Sequence, residues 1–321
     1  MKLVFFGSGG VGGSGGFGVR ALAALADAGF APALVVTQPP RRRSRGGGEE
    51  ATPVHRAALS RSLELLCAEN VNAEEALARL RAAKADLFVV AEYGQLLKAP
   101  LLAIPAKGSI NLHSSLLPRH RGASPVVAAL LAGDRETGVS VQRVVLRLDA
   151  GPVLASRSEA IVPGDDAGTL AGRLSALGAT LLVEVVAAFA RGEPPPAREQ
   201  DEAKATFCRR LSPEDAWIDW AGPAGRIERQ VRALRPKPLA QTAWLRDAPL
   251  ALKILAAEPL PGHAAAGEVV AVGDAGIDVG TGEGLLRILE LLPAGSRAMT
   301  AVAFRNGYRI APGERLGRAA R

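Results

Sequence analysis

Residues 109–125 read SINLHSSLLPRHRGASP, and VVAALL follows at 126–131. Ser109–His113 alternates apolar and polar side chains and predicts a strand. Asn111 and His113, two apart, share one face of that strand, while Ile110 and Leu112 go into the packing. Pro125 suits the first position of a helix over 124–131, with Ser124 as its N-cap. Strand, polar loop and helix make half of a β/α unit. Its polar side chains sit at the carboxyl end of the strand, where open α/β sheets bind ligands.

The flanking sequence extends this pattern. Lys2–Phe6, Ala33–Val36 and Asp86–Ala91 predict further strands, and Arg20–Ala28 and Ala73–Ala83 carry helical spacing. The alternation predicts a Rossmann-like α/β domain with a mostly parallel sheet. Gly138–Leu146 and Val153–Val162 read as paired strands, and Thr169–Ala190 as a long Ala/Leu-rich helix. GEPPPAREQ at 192–200 predicts an extended, poorly packed connection. Beyond it, a helix at Ala224–Leu234 precedes short alternating runs at Gln241–Leu245, Leu250–Ala256, Glu268–Val272, Gly276–Val279 and Leu285–Leu292. Strands of that length with glycine turns predict a small OB-like β-barrel or a sandwich. The expected division is a catalytic domain over 1–191, a linker over 192–205 and a C-terminal domain over 206–321.

Length and composition agree with two domains. The chain has 321 residues, 48% hydrophobic and 22% charged, which excludes wholesale disorder. It contains no run of 18 apolar residues, and MKLVFFGSGG is too soon broken by glycine for a signal peptide. Two cysteines, Cys67 and Cys208, exclude a disulfide scaffold or Cys-rich zinc site and read as small packing residues. A monomer in a reducing cytoplasm is expected, with no metal and no membrane partner. The net charge of +7 divides into 23 basic and 20 acidic residues over 1–205, and 16 and 12 over 206–321. In the first part the excess lies in one loop, Arg41, Arg42, Arg43 and Arg45. In the second, Arg226, Arg229, Arg232, Arg235 and Lys237 recur at helical spacing. Both runs point to an anionic partner. His55 and His120 read as surface residues.

Gly7-Ser8-Gly9-Gly10-Val11-Gly12 matches the G-x-G-x-x-G pattern after the first strand. Eight of the twelve residues from Gly7 to Gly18 are glycine, so the match follows from composition. The second strand ends in Thr37-Gln38-Pro39-Pro40, with no acid to hold a ribose hydroxyl. Nearby arginines keep an NADP-dependent oxidoreductase open as an alternative.

Asn111, His113 and Asp149, the last in Leu148-Asp149-Ala150-Gly151-Pro152, suit acyl transfer in which the substrate supplies the nucleophile. N-x-H-x-S-L-L-P-R-x-R-G and L-D-x-G-P resemble the folate-dependent formyltransferases. Thr37-Gln38-Pro39, Tyr93-Gly94-Gln95 and Gly133-Asp134-x-Glu136-Thr137-Gly138 add to the likeness. Ile218-Asp219-Trp220, Ile227-x-Arg229-x-Val231-Arg232-Ala233 and Asn306-Gly307-Tyr308-Arg309 are similar to the methionyl-tRNA branch of that family. The resemblance implies transfer of a formyl group from 10-formyltetrahydrofolate to the α-amino group of initiator methionyl-tRNA. It implies Asn111 and His113 as oxyanion donors and Asp149 as their charged partner. It also implies Ser115, Leu116, Leu117, Pro118 and Tyr93 at the folate. Arg41, Arg42, Arg43, Arg45, Arg229 and Arg232 would meet the tRNA. An amino sugar on a nucleotide is the alternative acceptor. The chain departs from the family in its long glycine tract after the first strand and in Pro40, where the family carries Asp.

Overall fold

The computed structural model describes residues 1–9, 16–42 and 48–319. It divides into two compact units, the first made of residues 1–126, 135–161 and 168–210. In that unit the strands are β1 (Leu3–Phe6), β2 (Leu34–Thr37), β3 (Leu65–Cys67), β4 (Leu87–Ala91), β5 (Ser109–His113), β6 (Glu136–Arg143) and β7 (Val153–Ala160). They form one sheet in the order β7-β6-β5-β4-β1-β2-β3. β1 to β5 run parallel, and β6 and β7 join antiparallel.

β1 (LVFF), β2 (LVVT) and β4 (LFVVA) are buried at every position. Strands covered on both faces need continuous apolar runs, which is why these segments lack alternation. Phe6 and Phe88 meet in the core with ring centroids 5.1 Å apart. Helices α1 (Phe17–Asp27), α2 (Pro53–Leu59) and α3 (Glu74–Ala82) lie between the strands in sequence. α1 buries Phe17, Ala21, Leu22 and Leu25 at helical spacing, and α3 buries Ala76, Leu77 and Leu80.

The strands and helices foreseen from sequence are present, and the first unit shows three differences from the sequence reading. β3 is a half-exposed three-residue strand, too short to show a period. β6 stops at Arg143 rather than Leu146. Val145, Leu146 and Leu148 leave the sheet and are 39%, 68% and 54% exposed, so their apolar pattern did not signal a strand. Residues 192–205 are extended but not poorly packed. Arg198 exchanges two backbone hydrogen bonds with Val153, and the side chains of Gln200 and Glu202 reach into the first unit.

Helix α5 (Ala167–Arg191) is long and apolar enough to cross a membrane, but 56% of its most apolar stretch is buried within the protein. Leu174, Leu182, Val186 and Phe189 are buried, the pattern of a core helix.

The second unit comprises residues 127–134, 162–167 and 211–321. After helix α4 (Pro125–Ala132) and helix α6 (Ala224–Ala233) come β8 (Ala240–Leu245), β9 (Leu250–Leu260), β10 (Val269–Gly273), β11 (Gly276–Gly280), β12 (Leu285–Pro293), helix α7 (Ala301–Tyr308) and β13 (Arg315–Gly317). The sheet order is β10-β11-β12-β9-β8-β13. Its two end strands also pair: Val269 N donates to Glu314 O at 2.8 Å, and Leu316 N to Gly267 O at 2.7 Å. The sheet is therefore a closed six-stranded barrel, which leaves no edge exposed. A Cβ on Gly267 would lie 2.2 Å from Leu316 O, so the closure requires glycine there. Leu252, Ile254, Ile277, Val279, Leu286, Ile288 and Phe304 fill the interior. α7 was not foreseen from the sequence. Thr300 caps it, accepting from Ala303 N, and Phe304 packs edge-on against Trp244 with centroids 5.8 Å apart.

Candidate active site

β5 ends at the carboxyl edge of the parallel sheet, beside β4. Ile110 and Leu112 are buried, and Asn111 and His113 project together from the opposite face, as the alternation requires. Across the antiparallel pair, Asn111 stands opposite Gln142 and His113 opposite Ser140. This register delivers the Gln142 amide to the same place.

Asp149 comes from the turn after β6. Its φ is 49°, a left-handed conformation that Asp tolerates better than most residues. A Cβ on Gly151 would lie 1.8 Å from Arg143 O, and Arg143 N donates to Pro152 O at 2.9 Å. The L-D-x-G-P motif is thus the sequence of this turn. It aims the Asp149 carboxylate back across the ends of β5 and β6.

Three donors and an imidazole surround that carboxylate. Gly122 N donates to Oδ2 at 2.9 Å, Gln142 Nε2 to Oδ1 at 3.0 Å and Asn111 Nδ2 to Oδ1 at 3.4 Å. His113 Nδ1 stands 3.8 Å from Oδ2, and the two side chains are only 8% and 11% exposed. His113 Nε2 contacts His120 O at 3.0 Å. A carbonyl only accepts, so Nε2 carries a hydrogen. A second proton on Nδ1 makes the Asp149 contact an ion pair. The Asn111 and His113 contacts are the longest of the four.

The loop between β5 and α4 is tightly held. Ser115 is buried and its Oγ donates to Arg119 O at 2.6 Å, while Leu117 N donates to Ser140 Oγ at 3.2 Å. His120 is buried, not a surface residue, and its φ is 55°. Arg121 and Gly122 pair in parallel with Phe207 and Cys208. A Cβ on Gly122 would lie 2.0 Å from Cys208 O, so the pairing requires glycine. Arg121 is fully buried; its guanidinium binds Gln200 Oε1 and both Glu202 carboxylate oxygens.

An open apolar cavity of about 610 Å³ adjoins this turn, lined by Ala99, Leu102, Ala103, Val145, Leu146, Arg147 and Ala150. None of the five residues expected at the folate is among these. Tyr93 packs edge-on against Phe6 with centroids 5.6 Å apart, and burial pushes its phenol above the usual range. Ser115–Pro118 form the loop beside His113. The exposed run Val145-Leu146 before Asp149 was the available sequence signal for the cavity, and it was read as strand.

The expected tRNA contacts fare unevenly. Arg41 is exposed, donates to Gln38 Oε1 at 2.7 Å and pairs across a short hairpin with Glu50, as Arg42 does with Glu49. Arg43 and Arg45 lie outside the described residues. Arg229 and Arg232 do not form an open basic face. Arg229 Nε donates to Leu131 O at 3.2 Å. Arg232 binds both oxygens of Glu228, and its Nη1 donates to Asp165 O at 2.9 Å. Arg235 donates to Leu255 O at 3.2 Å and pairs with Asp166 at 3.5 Å. The helical spacing holds, and the chain's own acceptors take part of the donor capacity of these guanidinium groups.

Gly10 to Gly12 of the glycine tract also lie outside the described residues. At the start of α1, Gly18 N donates to Glu92 Oε2 at 2.8 Å. A carboxylate already sits at the helix end where a pyrophosphate would bind, against the dinucleotide alternative. Cys67 is exposed rather than packed, with Sγ 3.5 Å from His55 Nδ1, and burial raises the thiol of Cys208.

Comparison with known proteins bears on the same residues. The family described as formyl transferase matches residues 1–186, and its C-terminal domain matches residues 210–309. The chain belongs to the formyl transferase family. A methionyl-tRNA formyltransferase of Roseiflexus sp. (strain RS-1) is 44% identical over 99% of this chain and 95% of its own length. One from Halorhodospira halophila is 42% identical over 94% of this chain and 96% of its own. Among solved structures, the sugar 3N-formyl transferase WlaRD shares the fold with a TM-score of 0.64 at 15% identity, covering 92% of this chain and 99% of that one. HypX from Aquifex aeolicus has a TM-score of 0.60 at 17% identity over 96% of this chain, which spans 47% of the HypX length.

Proposed function

We propose that this formyl transferase moves the formyl group of 10-formyltetrahydrofolate to the α-amino group of methionyl-tRNA. The convergence of Asn111 and His113 on Asp149 at the end of β5 carries the reading. Relatives of matching length at 42% and 44% identity, named methionyl-tRNA formyltransferase, support the acceptor. The sugar-acting enzyme is similar at 15%, a likeness of fold alone.

The chemistry follows from the donors. The amine nitrogen attacks the formyl carbon, a C–N bond forms, and the carbonyl electron pair moves onto oxygen. Asn111 Nδ2 and protonated His113 turn from Asp149 to that oxyanion; one such donor contributes about 2.7–4 kcal/mol. Asp149 holds the imidazolium charge and accepts the proton that the attacking amine releases. Collapse breaks the bond to N10 of the folate, which leaves as an amine after taking from Asp149 the proton that the attacking amine released, so that the carboxylate is regenerated. The apolar cavity at Leu102, Val145 and Leu146 takes the flat ring system of the folate, and Arg41, Arg42, Arg43 and Arg45 meet the tRNA phosphates. The free cysteines fit a reducing cytoplasm.

The test is formyl transfer by purified protein with 10-formyltetrahydrofolate and methionyl-tRNA, with an amino-sugar nucleotide as the competing acceptor. Transfer to tRNA is expected, and His113→Ala should lower kcat at least a hundredfold with an unchanged melting temperature. Transfer to the sugar alone would reject the acceptor, and a fully active His113→Ala would reject the site.

A further inference from the structure

The segment expected to be a loose linker touches the active-site turn through the side chain of Gln200. Its Oε1 accepts from Arg121 Nε at 3.0 Å and Nη2 at 2.9 Å. Its Nε2, whose two hydrogens are shared among three acceptors, lies 2.7 Å from Gly151 O, 2.9 Å from Asp149 O and 3.2 Å from Gln142 Oε1. Chemistry fixes which way the amide faces. A guanidinium only donates and carbonyls only accept, so a flipped Gln200 would put like against like at every contact. The orientation then propagates. Because Gln142 Oε1 accepts from Gln200, Gln142 must present Nε2 to Asp149 Oδ1, and it does so at 3.0 Å.

We propose that Gln200 is a positioning residue for formyl transfer, acting through Gln142 and the Asp149 turn rather than by touching substrate. It does two things. Two hydrogen bonds to the Asp149 and Gly151 carbonyls hold the turn in the left-handed conformation that aims the carboxylate. The longer, shared contact at 3.2 Å fixes the polarity of Gln142, so that Asp149 meets a donor instead of an amide oxygen. The Arg121 guanidinium locks Gln200 in turn, and Glu202 holds Arg121 from its other side. The proposal rests on the function proposed above.

Gln200→Met removes the amide at constant length, and Gln200→Glu keeps an acceptor for Arg121 while placing oxygen against three carbonyls. Both should lower kcat at least tenfold, leave KM for the formyl donor and for tRNA within about twofold, and keep the protein folded. Gln142→Met should give a similar loss, and the double variant should be no worse than the poorer single one. A kcat within twofold of wild type in both Gln200 variants would overturn the proposal. Independent, multiplicative losses would overturn it too. Hydrogen exchange tests the same arrangement without substrate. The Gly122 amide, which donates to Asp149, should exchange at least tenfold faster in Gln200→Met, with the β4 amides unchanged. Unchanged Gly122 exchange would count against the proposal, whereas a wild-type protein inactive on every acceptor would count only against the proposed function.

Discussion

Asp149→Asn is the substitution on which the geometry speaks most directly. Asp149 offers two oxygens to donors only: a backbone N–H from Gly122, an amide from Gln142, a second amide from Asn111 and the His113 ring. Asn keeps the shape but replaces one oxygen with an NH2. Turned toward Gly122, that NH2 meets a backbone N–H that cannot rotate. Turned toward Gln142, it meets an amide whose orientation Gln200 fixes. Either way one buried donor loses its acceptor, at about 1–3 kcal/mol of stability. Catalysis loses more, because the negative charge opposite His113 and the proton acceptor disappear together. General acid–base contributions of this kind amount to about 10²–10⁴ in rate, or about 2.7–5.4 kcal/mol at 1.36 kcal/mol per factor of ten. Single-turnover formyl transfer isolates the chemical step, and a thermal melt reads the stability separately. An Asn variant with more than a third of the wild-type rate would refute both the donor count and the proposed role of Asp149.

Leu146→Asp puts a charge on the exposed wall of the apolar cavity; KM for the formyl donor should rise about tenfold with KM for tRNA unchanged, measured by varying each substrate. Arg41→Ala should raise KM for tRNA a few-fold and reduce the salt slope of tRNA binding by about one, with the folate KM unaffected. Arg121 and Arg147 hold the Glu202 carboxyl down to about 2, against an ordinary value of 4.5. A depressed folded-state pKa adds stability that is present above the unfolded value and lost as pH falls through the folded one. The stability difference between wild type and Glu202→Gln should therefore shrink between about pH 4.5 and pH 2, read from urea midpoints. A difference independent of pH would contradict the pairing.

Where local sequence determines structure, the fold was legible. The buried parallel strands are continuous apolar runs, and Asn111 and His113 share a face because the strand period is two. Asp149 was legible as a residue but not its geometry. Its turn depends on Gly151 packing on Arg143 O, a contact that no spacing rule encodes. The cavity was missed because Val145 and Leu146 alternate like a strand yet face outward. Helical spacing predicts that Arg229 and Arg232 align, but not which acceptors they meet; Leu131 O and Asp165 O are remote in sequence. The prolines at 194–196 correctly signalled extended chain. Whether extended chain is loose or pinned depends on what lies beneath it, here Arg121 and Val153.

That pinned segment also has a consequence for synthesis on the ribosome. The sheet of the first unit is complete once β7 has emerged, yet the loop at 119–122 still lacks Gln200, Glu202 and the strand at Phe207–Cys208. Until those residues appear, Arg121 lacks the Glu202 carboxylate, and the Asp149 and Gly151 carbonyls lack the Gln200 amide. The nascent catalytic unit gains its scaffold first and its active-site order last, after α5 and the proline run have been translated.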